Sequence, residues 1–102
     1  MYLKDIEEYG EDVNDFETSP FELHFAFIFR SEIQKKYTIL SLEEKELLAR
    51  CDLILLKNAK KALNHLSKIY NFKESKAPIE EWWWHLDKVV SGEIKLIANA
   101  TE

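Results

Sequence analysis

Cys51 is the only cysteine in a chain of 102 residues. An intrachain disulfide is excluded, and so is a cysteine-based metal cluster within one chain. Glycine and proline are nearly as scarce, at two each, so the turn signals that an all-β chain needs are missing. The most apolar run, Phe25 to Phe29, is far too short to span a bilayer. The first residues, MYLKDIEEYGED, are acidic and carry no apolar core of the kind a secretory signal requires. We therefore expect a cytoplasmic protein with no membrane partner. Excess positive charge is lacking as well: the net charge of −5 gives no global attraction to nucleic acid. There is no Gly-rich phosphate loop, no His-Glu-x-x-His element and no nucleophile elbow. Enzymatic activity is left open, and no cofactor is expected.

What the chain does have is apolar residues at helical spacing. A hydrophobic content of 46% argues for a folded chain. The expectation is all-α: one helical domain over residues 1–102, built as a small bundle of three to four helices at about 2–16, 20–37, 41–71 and 78–91. The first is marginal. Tyr2, Ile6, Tyr9, Val13 and Phe16 form one stripe, but Gly10 interrupts it at a cost of about 1 kcal/mol relative to alanine.

The second helix has a clear start, with Ser19 as cap and Pro20 at the first helical position. Its first half is apolar nearly all round. At about 100° per residue, Phe21, Phe25 and Ile28 share one side while Leu23 and Phe27 lie roughly opposite. One partner helix cannot cover both sides. The alternation of Phe21, Leu23, Phe25, Phe27 and Phe29 also permits a strand, although the cap signals favour helix.

Ser41 and Glu44 form a capping-box pattern that opens the third helix. Read as one rod to residue 71, it is about 45 Å long, with a kink allowed near Leu56–Asn58. Its seam is Leu48, Cys51, Leu55, Ala59, Ala62, Leu66 and Ile69. Arg50, Lys57, Lys60, Lys61, Asn64 and Lys68 make its polar face. Pro78 opens the last helix, which carries Trp82, Trp83 and Trp84 and ends near Gly92. On its wheel Trp82 and Trp83 face inward and Trp84 points away. The segment from Glu93 to Ala98 reads as a further short turn or an extended stretch.

Function is less legible than fold. The leading expectation is a structural or protein-interaction module that self-associates, with another protein as the alternative partner. The expected interface is Phe21, Leu23, Phe25, Phe27, Phe29 and Trp84, since aromatic residues dominate binding hot spots. A second reading is a metal binder or metal-dependent enzyme using Glu81 and His85, neighbours at i and i+4, with help from His24 or His65. The plainer account of that pair is a helix-surface hydrogen bond. A third reading is nucleic-acid binding through Arg50, Lys57, Lys61 and Lys68. The eight acids in residues 1–22, against Lys4 alone, weigh against it, and a nucleic-acid partner is not expected. Cys51 lies on the inward seam and reads as a small buried apolar residue.

Overall fold

The computed structural model describes residues 1–95. Among them are five α-helices: α1 (Leu3–Asp12), α2 (Pro20–Lys35), α3 (Leu42–Lys57), α4 (Ala59–Leu66) and α5 (Leu86–Ser91). Short 3-10 turns occupy Tyr37–Ile39, Phe72–Glu74 and Trp82–His85. The fold is all-α, as expected. No helix among the described residues is long and apolar enough to cross a membrane. Of the segment Glu93–Ala98, residues 96–98 lie outside the described residues.

Residues 20–35 form a helix and not a strand. The Ser19 hydroxyl accepts the Phe21 N–H, and Pro20 takes the first turn, where a missing N–H costs nothing. The capping box of α3 is complete: the Glu44 N–H donates to Ser41 Oγ, and Glu44 Oε1 accepts the Ser41 N–H. The other Glu44 oxygen accepts the Tyr2 N–H. Glu44 thus ties the start of α1 to the start of α3, and these backbone donors hold its carboxyl down to about 2.

The single rod expected over 41–71 is not formed. It breaks at Asn58, between α3 and α4, and the last helical residue is Leu66. A straight 45 Å rod would in any case exceed the longest dimension of the fold, 34 Å. No proline or glycine causes the break. Asn58 adopts φ −101°, ψ 15°, and its amide nitrogen donates to Asn14 Oδ1 at 2.8 Å and to the Val13 carbonyl at 3.4 Å. The carboxamide thereby serves the C-terminal end of α1, where helix carbonyls lack internal partners. The seam keeps its spacing across the break: Leu48, Cys51, Leu55, Ala59, Ala62 and Leu66 are all buried. Ile69, past the helix end, is 37% exposed.

The helix expected over 78–91 is also corrected. Pro78 to Glu81 is a turn, Trp82–His85 is 3-10, and only Leu86–Ser91 is α-helical. His85, at φ −132° and ψ 40°, interrupts the helical path. The end is as read, with Gly92 left-handed at φ 86°.

The marginal helix α1 forms by docking on α3. Ile6, Tyr9 and Val13 are buried there. Gly10 is the close-approach point: a Cβ built on it would lie 2.5 Å from Cys51 Sγ. That sulfur is buried and donates to the Ile6 carbonyl at 3.5 Å. Gly10→Ala gains about 1 kcal/mol of helix propensity but overpacks the α1–α3 contact, which costs about 1–3 kcal/mol. The expected net result is a loss of about 1 kcal/mol. Adding Cys51→Ala to Gly10→Ala should make the double variant more stable than either single variant in urea unfolding. Additive losses would show that the two residues do not meet.

Candidate interaction surface

The two sides of helix α2 have different surroundings. Its inner side buries Leu23, Ala26, Phe27, Arg30 and Ile33. Arg30 is 5% exposed, which is unusual for a guanidinium. It is bound bidentately by Asp52, with Nε to Oδ1 at 2.9 Å and Nη2 to Oδ2 at 2.9 Å. Nη1 donates to Gln34 Oε1 at 2.9 Å, and the guanidinium carbon lies 4.3 Å from the Trp83 ring centroid. The Tyr9 hydroxyl donates to Asp52 Oδ1 at 2.7 Å. Burial disfavours the Arg30 charge, but the hydrogen bonds and charge of Asp52 outweigh it and raise the pKa. Burial, followed by the Asp52 charge, lifts the Tyr9 phenol well above its ordinary value.

Ser31 is the second polar anchor. Its Oγ accepts Nε1–H from Trp83 at 3.0 Å and from Trp84 at 2.8 Å, and donates to Glu81 Oε1 at 2.7 Å. One hydroxyl has one donor and two acceptor positions, so Ser31 is fully used. Trp84 does not point away from the fold. It is half-buried, with ring centroids 5.6 Å from Phe27 and 5.1 Å from Tyr70. The wheel that aimed it outward assumed a continuous helix from Pro78, and that helix does not exist.

The outer side of α2 carries Phe21, Phe25 and Ile28, which are 55%, 61% and 41% exposed. They recur at i, i+4 and i+7 and so form one continuous ridge. The expected interface set therefore divides. Phe21 and Phe25 stand on the surface, Leu23 and Phe27 are in the core, and Phe29 is half-buried near Tyr9, with ring centroids 6.4 Å apart. Ile28 replaces the buried pair on the exposed ridge.

Beside that ridge, α1 and α2 enclose a groove of about 160 Å³ lined by Asp5, Glu8, Tyr9, Asp12, Glu22, Phe25, Ala26 and Phe29. The Asp12 carboxyl is raised above its ordinary value, first by burial and then by Glu22, Glu8 and its other acidic neighbours. Among the described residues, no acid of residues 1–22 forms an ion pair with a lysine. The acidic segment and the lysine-rich segment do not neutralise each other by direct pairing.

The remaining candidates are dispersed. Glu81 is engaged by Ser31, while His85 is buried and its Nε2 lies 2.8 Å from the Ala77 carbonyl. A carbonyl only accepts, so Nε2 carries the proton there. His65 does the same to the Thr18 carbonyl at 2.9 Å, and the His24 ring packs tilted against Phe25 and Tyr70 and edge-on to Trp84. Among the described residues, no three His, Cys, Asp or Glu side chains group in a way that could hold a metal. Arg50, Lys57, Lys61 and Lys68 are all exposed, but the break at Asn58 divides them between α3, α4 and the turn beyond it. Cys51 is buried; burial first and Asp52 second push its thiol up, which is the opposite of an activated nucleophile.

Comparison of the chain with protein-family models, curated proteins and solved structures gave no match.

Proposed function

We propose that this protein is a self-associating interaction module whose docking element is the outer side of α2. One observation carries the reading: Phe21, Phe25 and Ile28 form an exposed apolar ridge on a helix whose opposite side is fully committed to the core. Isolated exposed apolar residues are ordinary, whereas an aligned aromatic ridge marks a contact surface. Tight packing and hydrogen bonding hold the inner side, so the ridge is presented on a fixed helix and docking costs little ordering entropy.

Light scattering or sedimentation across a concentration series tests this. The wild-type chain should show a mass above the monomer that falls on dilution. Phe25→Asp should weaken association at least about tenfold, since a central aromatic anchor is worth more than about 1.4 kcal/mol. Phe25 is exposed, so the variant should keep its circular dichroism spectrum and unfolding midpoint. A wild-type mass equal to the monomer up to about millimolar concentration would sink the reading.

A further inference from the structure

An α2 ridge that meets the same ridge on a second copy would bring like charges together. Glu22 stands beside the ridge, and Asp5, Glu8 and Asp12 line the groove along it. A two-fold contact centred there would set these acids against their own copies, and like-charge juxtaposition opposes docking. The mate must therefore be apolar and basic.

The chain carries such a surface. On α3, Arg50, Leu53 and Lys57 fall at i, i+3 and i+7, on one side of the helix. Leu53 is 53% exposed. With Ile54, Leu56 and Lys57 it borders a shallow depression of about 460 Å³. Lys60 and Lys61 follow at once on α4, both exposed. Leucine flanked by cations on α3 complements phenylalanine flanked by carboxylates on α2.

We propose that the α2 ridge of one copy docks on the Arg50–Leu53–Lys57 edge of the next, a head-to-tail contact between unlike surfaces. This rests on the self-association reading above. Phe25 and Ile28 meet Leu53 and Leu56, and a lysine or arginine lays its aliphatic stem over Phe25 with its charge in the Asp12–Glu22 groove. A joined pair keeps one unused surface of each kind, the ridge on one copy and the α3 edge on the other, so assembly continues until a ring closes or a filament grows. The charged part is exposed, so added salt weakens it within the roughly 8 Å screening length of physiological buffer.

A mixing experiment tests the assignment. Phe25→Asp disables the ridge and leaves the α3 edge intact, while Leu53→Asp does the reverse. Both positions are exposed, and circular dichroism together with the urea midpoint checks folding; Phe25→Gln and Leu53→Gln serve if either aspartate variant unfolds. Each variant alone should be monomeric. An equimolar mixture should associate into a species of twice the monomer mass and stop there, because the remaining surfaces are disabled. If both variants are monomeric and their mixture stays monomeric, or if Leu53→Asp associates as the wild type does, the head-to-tail contact is wrong while self-association through α2 stands. A wild-type chain that is monomeric throughout overturns both.

Discussion

Asp52→Ala should lower the free energy of unfolding by about 3 kcal/mol, read from urea denaturation at neutral pH. The loss comes chiefly from what is left behind. Arg30 is 5% exposed, and its Nε and Nη2 both donate to the Asp52 carboxylate. Without that partner a guanidinium stays charged in a site where Gln34, the face of Trp83 and the Tyr9 hydroxyl are what remain to it. Breaking a buried pair from one side costs about 3–5 kcal/mol. The lower end applies because the Asp52 side chain is itself 17% exposed, so water reaches the gap. Tyr9 loses its acceptor as well.

Two further measurements separate this account from a general loss of packing. The double variant Arg30→Met, Asp52→Leu removes both charges and should recover most of the loss, since apolar replacement of a buried pair is often neutral. The Tyr9 phenol should titrate lower in Asp52→Ala than in the wild type, yet stay above the ordinary tyrosine value, because burial is the larger cause of its shift. Equal stabilities for the single and double variants would show that the charge left behind is not the cost.

The sequence made α2 legible because cap, period and burial agree there. Ser19 and Pro20 mark the start, and the division of Phe21, Phe25 and Ile28 from Leu23 and Phe27 follows from helical spacing alone. The seam of α3 and α4 was equally readable, since apolar spacing survives a local break. A kink near Leu56–Asn58 is allowed by the sequence, and the break falls at Asn58; what forces it is not legible, because it depends on an asparagine whose partners, Val13 and Asn14, are remote in sequence. Gly10 looked like a defect in a weak helix, and its reason is a sulfur atom 41 positions further along the chain. Trp84 was misplaced for a related cause: the wheel treats neighbouring residues as one rigid helix, whereas three adjacent indoles must each find a separate site. The polar anchors Arg30 and Ser31 carried no signal in sequence beyond an arginine and a serine beside an apolar run. Their position on the same side of α2 as Leu23 and Phe27 is the one usable hint.

Ser31→Ala should destabilise the protein by about 2 kcal/mol, a large effect for the loss of one oxygen from a half-buried residue. Ser31 uses every hydrogen-bonding position it has, accepting from Trp83 and Trp84 and donating to Glu81. Alanine fits the same space, so no overpacking contributes. Trp83 is 1% exposed, and its N–H is left without an acceptor in a site that water does not readily reach. An unsatisfied buried donor costs about 1–3 kcal/mol. Trp84 and Glu81 are half-buried and can turn to solvent, which limits their share. The Trp83 indole N–H should exchange with solvent deuterium faster than in the wild type, relative to backbone amides of α3, because the Trp82–His85 turn is pinned to α2 through this oxygen. Ser31 lies on the inner side of α2, so the variant should associate like the wild type under conditions where both are folded. A stability change below about 0.5 kcal/mol would place Ser31 among ordinary surface serines. Weakened association of the folded variant would mean instead that the Trp83–Trp84 anchor helps to set how α2 presents Phe21, Phe25 and Ile28.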